Sequence, residues 1–242
     1  MRIATPASAL VAVQAGAPEP TFLPLPETPT GTLDARAVGA VLEAAAQADA
    51  LAIGPGLSRD PATAEAVREI VRAASVPLVL DADALNAFAG DAGALAQRAA
   101  DAVLTPHAGE FRRLGPLGTD RLADLRVLAA HTRSVVLLKG PRTAIAEPSG
   151  SVRITPTGSS ALATGGSGDV LTGVIGALLA RGRSPFEAAW AGAYVHGLAG
   201  QLAGRERGEG IVAGDVAEAL PEAVARVHVD ASLEPAPGGG AP

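Results

Sequence analysis

Short apolar runs alternate along the chain with longer segments whose apolar residues recur at helical spacing. The apolar runs, which predict buried strands, lie at 50–53, 76–80, 102–104 and 135–138. One intervening segment places Val67, Ile70, Val71 and Ala74 three or four positions apart, which predicts an amphipathic helix. Because strands that alternate with helices pair side by side in the same direction, the pattern indicates a parallel sheet.

The rest of the pattern adds a hairpin, further helices and a tail. Two β-like pieces, Thr143 to Glu147 and Val152 to Thr155, are joined through Pro148-Ser149-Gly150 and predict a hairpin near one edge of the sheet. Further helices are predicted after the capping residue Asp34, around Leu122, Leu125 and Ala129, over 169–181, from the capping box Ser184–Glu187, and after Asp215. We expect one α/β domain over residues 1–229 and a disordered tail over 230–242.

Composition narrows the class of function. The 242 residues include 19 basic and 25 acidic side chains, and the formal net charge of -6 disfavours a partner such as nucleic acid or an anionic membrane surface. Cysteine is absent, which excludes disulfide frameworks, thiolate catalysis and Cys-ligated metal sites. No run approaches the roughly 18 apolar residues of a membrane span, and the opening residues do not form a signal peptide, so we expect a cytoplasmic chain.

Polar residues and glycines follow four of the predicted strands. In an open parallel sheet, ligands bind at the carboxyl ends of the strands, because loops and helix N-termini converge there. These positions are Gly54 and Gly56 after the first strand, Asp81, Asp83 and Asn86 after the second, Thr105, Pro106, His107 and Glu110 after the third, and Lys139 and Gly140 after the fourth. Together they predict a single cleft.

The strongest local signal is the segment Thr164-Gly165-Gly166-Ser167-Gly168-Asp169, which leads directly into a predicted helix. Glycines let the backbone approach a ligand closely, and the N–H groups and dipole of a helix N-terminus favour phosphate oxygens. Asp169 then has two interpretations. It is either a helix cap or a general base that faces a phosphate-bearing ligand.

Lys139 and His107 are also open to two interpretations. Lys139 is the only lysine among 19 basic residues, so the chain uses arginine wherever a surface cation suffices, and this favours a role in the cleft over a solvated charge. His107 is either a ligand-facing residue or a loop histidine without a partner. We expect His196 to pack inside its helix, and His131 and His228 to be exposed.

Several familiar motifs do not match. Gly140 follows Lys139 where a Walker loop needs Ser or Thr, and Asp169 stands where the serine-hydrolase elbow needs glycine. The sequence contains no His-Glu-x-x-His zinc motif, and Gly54-Pro55-Gly56 lacks the third glycine of a dinucleotide fingerprint. A classical Rossmann dehydrogenase is therefore disfavoured.

Five motifs nevertheless occur in a fixed order. They read Ile53-Gly54-Pro55-Gly56-Leu57, Leu80-Asp81-Ala82-Asp83-Ala84-Leu85-Asn86, Leu104-Thr105-Pro106-His107-Ala108-Gly109-Glu110, Leu137-Leu138-Lys139-Gly140-Pro141-Arg142-Thr143 and Ala163-Thr164-Gly165-Gly166-Ser167-Gly168-Asp169-Val170-Leu171. The set resembles that of the ADP- or ATP-dependent NAD(P)H-hydrate dehydratases, a branch of the ribokinase-like superfamily, from about residue 3 to residue 226. The resemblance implies a ribokinase-like three-layer α/β/α sandwich with a mostly parallel central sheet.

The resemblance also implies a reaction and a set of site residues. Such enzymes use ADP or ATP, with Mg²⁺, to remove water from NADHX or NADPHX and restore NADH or NADPH. Asp169 is implied as the catalytic base, and ADP is the expected donor. The implied nucleotide-binding residues are Lys139, Gly140, Pro141, Arg142, Thr143, Gly165, Gly166, Ser167 and Gly168, and the implied substrate-binding residues are Gly56, His107 and Asp169. Residues Asp81, Asp83, Asn86 and Glu110 are expected to line the cleft, in a structural or a metal-linked role, and the metal ligands stay undefined.

Two departures from the family pattern carry further expectations. Gly158-Ser159-Ser160-Ala161-Leu162 stands where the family usually has Gly-Asn-Pro-Gly-Met, which changes the turn but keeps the anion loop. The family's usual N-terminal strand, Gly-Gly-Ser loop and helix have no counterpart before Arg2. We therefore expect one wall of the dinucleotide pocket to be missing or to come from elsewhere.

Partners are implied in the same way. Many relatives are fused to an epimerase domain, which we expect here as a separate functional partner. The family is generally oligomeric, often tetrameric, and the Ala-rich segment 188–202, with Gly192, Gly197 and Gly200, is a candidate for close packing against another subunit.

Two other functions stay open. A small-molecule kinase of the thiamin-precursor type would use the same glycine loop and Asp169, although such kinases usually carry Asn where His107 stands. A catalytically silent nucleotide-binding or assembly protein is the second alternative. Phosphate release that depends on the hydrate would exclude it.

Overall fold

The computed structural model describes residues 1–233, and side chains as far as residue 227. The strands are β1 (Arg2–Pro6), β2 (Thr21–Leu25), β3 (Leu51–Ile53), β4 (Leu78–Leu80), β5 (Ala102–Leu104), β6 (Val135–Leu138), β7 (Ala144–Ala146) and β8 (Val152–Ile154). The helices are α1 (Leu10–Gly16), α2 (Val38–Ala45), α3 (Pro61–Ala73), α4 (Ala82–Asn86), α5 (Ala108–Leu114), α6 (Arg121–Thr132), α7 (Ser167–Ala180), α8 (Pro185–Arg207) and α9 (Ala213–Leu233).

The central sheet has six strands in the order β3-β4-β5-β6-β7-β8. Strands β3 to β6 are parallel, and β7 and β8 continue the sheet as an antiparallel hairpin. The predicted strands and hairpin are therefore confirmed, with ends that differ by at most two residues. Because β3 to β6 all run in the same direction, their carboxyl ends lie at one edge of the sheet, as a shared cleft requires.

Alternate residues of each strand enter two different cores. Leu78 and Leu80 of β4 pack with apolar residues of α2, α3 and α6, whereas Val79 packs with residues of α7 and α8. The same division separates Val136 of β6 from Leu137. Since successive strand residues point to opposite faces, helices cover both sides of the sheet, and the expected three-layer α/β/α sandwich is confirmed.

The helix starts follow local capping chemistry. The Asp34 side chain accepts the Arg36 N–H in the turn that leads into α2, and Ser184 and Glu187 form the predicted capping box of α8. Helix α7 begins at Ser167, two residues before the predicted start. Helix α9 begins at Ala213, so that Asp215 lies inside its first turn.

The glycines of α8 are used inside the chain, which corrects the expectation that they face another subunit. A side chain at Gly197 would lie 2.4 Å from Thr157 Oγ1, and one at Gly200 would lie 2.5 Å from Leu162. A side chain at Gly192 would meet Ile175 of α7 at 2.8 Å. These close approaches let α7 and residues 157–162 pack directly on α8, so this helix face is already occupied.

The N-terminal elements β1, α1 and β2 were not predicted from the sequence. Strands β1 and β2 form a separate two-stranded parallel sheet, with α1 between them in the chain. Residues 18–29 are rich in proline, which indicates a loop, and Pro24 within β2 is tolerated because strands at a sheet edge can lack an N–H donor. Helices α4 and α5 were missed because five and seven residues are too few to show helical spacing.

Two further expectations concern the end of the chain and membranes. Helix α9 continues to Leu233 and so includes the first residues of the predicted tail. The rest of that tail, residues 234–242, lies outside the described part. No helix among the described residues is long and apolar enough to cross a membrane.

Candidate active site

Lys139 lies where three of the parallel strands end. It follows β6, and its N–H donates to the carbonyl of Pro106, just beyond β5, at 2.8 Å. Its ammonium nitrogen lies 2.7 Å from Asp81 Oδ1 after β4 and 3.9 Å from Glu110 Oε2. The Asp81 side chain is only 2% exposed. A buried carboxylate therefore fixes the ammonium of Lys139 at the carboxyl edge of the sheet.

Thr172 of α7 completes the environment of Asp81. Its buried hydroxyl donates to Asp81 Oδ2 at 2.9 Å, so both oxygens of the carboxylate have partners. A buried carboxylate is costly unless hydrogen bonds and an opposite charge compensate for lost water. These two contacts supply that compensation and tie the ends of β4 and β6 to α7.

Gly54, directly after β3, is required by the close approach of this strand to Asp81. Its φ of 142° lies outside the range that other residues favour, and a Cβ here would stand 1.8 Å from the Asp81 carbonyl oxygen. The Asp81 N–H in turn donates to the Ile53 carbonyl at 3.2 Å. The loop after β3 therefore rests directly on the backbone that carries Asp81.

The glycine-rich loop turns tightly into α7. Gly166 is the N-cap residue, with a φ of 84°, and no side chain caps this end of the helix. The Ser167 hydroxyl donates within the loop, to the carbonyls of Leu162 and Thr164 at 2.8 and 3.0 Å. The Ser167 carbonyl lies 2.9 Å from Nε2 of the buried His196 on α8. The expected packing of His196 inside is confirmed, and its ring supports the loop.

Asp169 lies in the first turn of α7 and is not the cap of this helix. The residue is exposed toward solvent, yet partial burial of its carboxyl raises its pKa above the ordinary value, and the negative charge of Asp81 raises it further. The positive charge of Lys139 acts in the opposite direction. The structure thus removes the capping interpretation and leaves a carboxylate that is electrostatically coupled to the Lys139–Asp81 pair.

His107 and Glu110 form the N-terminus of α5. His107 Nδ1 accepts the N–H groups of Gly109 and Glu110, and Glu110 Oε2 accepts the His107 N–H at 2.8 Å, a reciprocal capping box. Because Nδ1 is an acceptor, a neutral His107 carries its proton on Nε2. The His107 side chain is 54% exposed, and its backbone pairs with Lys139. His107 therefore caps a helix and still presents its ring to solvent.

Residues Gly140, Pro141, Arg142 and Thr143 form the exposed turn between β6 and β7. The guanidinium of Arg121 donates to the carbonyls of Pro141 and Arg142 at 3.2 and 2.6 Å, and Thr143 donates to the Gly140 carbonyl. Arg142 adopts a φ of 54°, which these contacts hold in place. The turn is thereby fixed beside Lys139.

Asp83 and Asn86 belong to a separate network. Asp83 accepts the Ser58 N–H at 3.0 Å and an amide proton of Asn86 at 3.0 Å, while Asn86 Oδ1 accepts from Arg113 at 3.0 Å. These bonds hold the loop after β3, including the exposed Gly56, against α4 and α5. Neither side chain contacts Lys139, so this part of the candidate set supports loop structure around the cleft.

The carboxylates of the cleft do not form a metal cage of their own. Within the part of the chain that the structure describes, no group of three or more His, Asp or Glu side chains is arranged to hold a metal ion. Mg²⁺ commonly binds through one or two carboxylates together with substrate phosphates and water. The residues at the cleft therefore fit a cation that is carried mainly by a nucleotide.

Sequence reasoning missed Thr172 and Arg121, and it assigned His196 only to packing. Thr172 left a usable signal, because it is a polar residue on the buried face that α7 forms with Leu171 and Ile175. Arg121 left none, since an arginine on the solvent side of an amphipathic helix resembles any solvated charge. The contact of His196 with the loop depends on the packing of α7 against α8.

Comparisons with known proteins bear on this arrangement. The family model for NAD(P)H-hydrate dehydratase matches residues 2–222. The bifunctional NAD(P)H-hydrate repair enzyme of Moorella thermoacetica is 50% identical over 205 residues, which cover 81% of this chain and 38% of that protein. The chain thus spans well under half the length of this relative.

Solved structures of two other proteins have a fold similar to that of this chain. The ADP/ATP-dependent NAD(P)H-hydrate dehydratase from Bacillus subtilis, co-crystallised with ATP and Mg²⁺, superposes with a TM-score of 0.73 at 30% identity and covers 93% of this chain and 78% of that one. A ribokinase-like superfamily protein from Enterococcus faecalis, 24% identical, has a TM-score of 0.72 over 93% of this chain and 76% of that one, which supports the ribokinase-like fold. The matches favour the dehydratase interpretation over a kinase or a silent binding protein. By sequence and by fold, this chain belongs to the NAD(P)H-hydrate dehydratase family.

Proposed function

We propose that this chain uses ADP or ATP to dehydrate NADHX and NADPHX to NADH and NADPH. The observation that carries the proposal is the placement of Asp169, which lies in the first turn of α7, directly after the glycine-rich loop, and does not cap the helix. Its carboxyl is coupled to Asp81 and Lys139, so a potential base and a fixed cation share one site. Family membership supplies the substrate class.

The proposed reaction has two steps. Asp169 takes the proton of the ring hydroxyl of the hydrate as that oxygen attacks the terminal phosphorus of the nucleotide, and the bond to the departing AMP or ADP breaks. The phosphorylated hydrate then loses phosphate. Its C–O bond breaks, and a proton leaves the neighbouring carbon, so that the ring double bond forms. The sum is loss of water from the hydrate at the cost of one phosphoanhydride bond.

Lys139 and the glycine-rich loop would bind the terminal phosphates. The ammonium is held beside Gly168, since a Cβ at that glycine would lie 3.2 Å from Nζ. Gly165, Gly166 and Gly168 offer backbone N–H groups at the positive end of the α7 dipole, whereas the Ser167 N–H donates to the Thr164 carbonyl at 3.4 Å. Because the site is preorganised, these charges stabilise the transferring phosphoryl group without reorganisation during the step. We assign the rigid turn of Gly140, Pro141, Arg142 and Thr143 to the remainder of the nucleotide.

Mg²⁺ fits this site as an ion that the nucleotide brings with it. Glu110, whose Oε2 lies 3.9 Å from the ammonium of Lys139, is the carboxylate that we expect to face the cation. When bound, Mg²⁺ offsets the charge of the phosphate oxygens. The co-crystallisation of the Bacillus subtilis relative with ATP and Mg²⁺ supports Mg²⁺ as the ion that accompanies the nucleotide.

The hydrated dinucleotide would lie on the side of Gly56 and His107. Gly56 is exposed, with a φ of 73°, in the loop after β3, and the exposed ring of His107 borders the strand end that carries Lys139. Asp169 would reach the same molecule from α7.

We propose an epimerase as the functional partner, because the bifunctional relatives extend well beyond the matched region. This chain alone should then convert one epimer of the hydrate, and added epimerase should allow full recovery. We also propose that the protein forms homo-oligomers and acts in the cytoplasm, where nicotinamide cofactors turn over. Light scattering of the purified chain measures the number of subunits.

The deciding experiment follows the near-ultraviolet absorbance of NADH after NADHX, Mg²⁺ and either ADP or ATP are mixed with the protein. Nucleotide-dependent recovery is expected. The Asp169→Asn variant should bind nucleotide normally while turnover falls by at least about 100-fold. The wild-type kcat/KM should also decline as the pH drops through the raised pKa of Asp169, because only the ionised carboxylate accepts a proton.

Other results would redirect the assignment. Near-normal turnover by the Asp169→Asn variant would remove Asp169 from the chemistry. If the wild-type protein gives no NADH but phosphorylates a hydroxylated thiazole or pyrimidine, the chain is a kinase of the same fold.

A further inference from the structure

Lys139 is the only lysine in a chain that otherwise uses arginine. The groups around its ammonium explain why a lysine stands here. Asp81 Oδ1 lies 2.7 Å away, Glu110 Oε2 lies 3.9 Å away, and a Cβ at Gly168 would come within 3.2 Å. A compact ammonium fits between these groups. A planar guanidinium, with five donors in a rigid fork, requires more room than they leave.

The carboxylate that holds this ammonium is itself held from the opposite side. Asp81 is 1% exposed and follows β4, whereas Thr172, 3% exposed, lies one turn beyond Gly168 on α7. The Thr172 hydroxyl donates to Asp81 Oδ2, at 2.9 Å, and leaves Oδ1 directed at Lys139. Without the hydroxyl, the carboxylate would have a buried oxygen with no donor and freedom to rotate away from the ammonium.

We propose that Thr172 and Asp81 are positioning residues: the hydroxyl of Thr172 orients Asp81, and Asp81 holds the ammonium of Lys139 at the start of α7, where the terminal phosphate of the nucleotide binds. Neither side chain needs to touch the nucleotide. The hydrogen-bonded series Thr172–Asp81–Lys139 links α7, the helix that carries Asp169, to the ammonium of Lys139 at the edge of the sheet. The effect on nucleotide binding rests on the proposed function, whereas the effect on Lys139 does not.

The first test measures the position of Lys139 without any substrate. Because the chain has one lysine, reductive methylation followed by mass spectrometry of the lysine-containing peptide reports on this amine alone. Thr172→Val keeps the shape of the side chain and removes the donor. We expect the methylation rate of Lys139 to rise about fivefold or more, and Thr172→Ser, which restores the hydroxyl, to return it to the wild-type rate.

A matched control is available in α6. Thr132 is also fully buried, and its hydroxyl donates to the Leu128 carbonyl of its own helix at 2.8 Å. Thr132→Val should affect stability about as much as Thr172→Val does, with no change in the methylation of Lys139. Equal rates for the wild-type protein, Thr172→Val and Thr172→Ser would overturn the proposal.

The second test concerns the nucleotide. Thr172→Val should raise the KM for ADP or ATP on the order of tenfold, with a smaller effect on kcat, and Thr172→Ser should restore it. Faster methylation with an unchanged KM would overturn the assignment of these residues to nucleotide binding. If the wild-type protein recovers no NADH, the proposed function fails, and the methylation rates still decide whether Thr172 and Asp81 position Lys139.

Discussion

Lys139 shows how much of this site depends on single atoms. Its ammonium lies close to carboxylates that follow two different strands, and the start of α7 comes close to it at a glycine, which has no side chain. Asp169 receives its raised pKa from partial burial and from Asp81, against the influence of Lys139. At this scale, we expect one added methyl group at Gly168 or one lost hydroxyl at Thr172 to change the electrostatics of the cleft while the fold is retained.

Gly168 and Gly173 offer a matched pair for testing this statement. In Gly168→Ala, the new methyl carbon would lie 3.2 Å from the ammonium of Lys139 and 3.6 Å from Asp81 Oδ2, so the flexible end of Lys139 must move. We expect a rise of about tenfold in the nucleotide KM with little loss of stability. Steady-state kinetics and thermal unfolding measure the two quantities.

Gly173, further along α7, serves as the control, because no heavy atom lies within 4 Å of the position that an added Cβ would take. Gly173→Ala should leave the nucleotide KM unchanged and stabilise the helix by about 0.5–1 kcal/mol, because alanine loses less backbone entropy than glycine. Equal nucleotide KM values for the two variants would contradict the steric argument.

At the scale of elements, the site is an arrangement of strand ends against one helix. Strands β4 and β6 supply Asp81 and Lys139, and α7 supplies Thr172 and Asp169. The loop after β3 packs on the backbone of Asp81, and His196 of α8 braces the start of α7. The contacts within this arrangement leave little tolerance for displaced backbone.

The contact between the loop after β3 and β4 can be tested at Gly54. In Gly54→Ala, the added carbon would lie 1.8 Å from the Asp81 carbonyl oxygen, at a φ of 142°. We expect a loss of about 3 kcal/mol or more in the free energy of unfolding, because backbone and not a flexible side chain must move. Urea unfolding monitored by circular dichroism measures it.

Gly39 in α2 is the control for that measurement. It is exposed, with no heavy atom within 4 Å of an added Cβ, so Gly39→Ala should stabilise the chain by about 0.5–1 kcal/mol. A loss of stability at Gly54→Ala no larger than a few tenths of a kcal/mol would show that the loop after β3 is free to move away from Asp81.

For the whole molecule, two cores on opposite faces of one sheet make local contacts part of global stability. His196 is an example of a local contact that affects global stability. It is 7% exposed, and burial lowers the pKa of its imidazole, with an opposing effect from the Ser167 carbonyl and a further lowering from Lys139. The folded chain therefore holds this ring neutral.

The stability of the molecule should consequently depend on pH. The unfolded chain binds a proton at His196 near the ordinary value of 6.5, whereas the folded chain resists it until lower pH. The contribution of His196 is complete above that value and is lost as the pH falls below it. Unfolding free energies at a series of pH values from about 7.5 to about 5 should decline for the wild-type protein.

His196→Gln keeps an N–H donor for the Ser167 carbonyl but cannot titrate. We expect a flatter dependence on pH in the same range for this variant. If the unfolding free energies of the two proteins depend on pH in the same way, other groups cause the decline, and protonation of His196 does not destabilise the fold.

The sequence by itself determined the strands of the central sheet, the hairpin and the capped starts of several helices. These features depend on local spacing: apolar runs, a capping box, and glycines where the backbone must turn. It also placed Asp81, Lys139 and Glu110 at one edge, because parallel strands bring their carboxyl ends together. The five ordered motifs carried the family resemblance.

Only the tertiary structure decided how those residues are used. Gly166, and not Asp169, caps α7, the α8 glycines pack within the chain, and Asp83 and Asn86 support a loop instead of Lys139. The Thr172–Asp81 contact joins residues that are 91 positions apart, and the Asp81–Lys139 contact joins residues that are 58 positions apart. Such contacts are fixed by how helices pack on the sheet, and no local pattern of hydrophobic and polar residues specifies that packing.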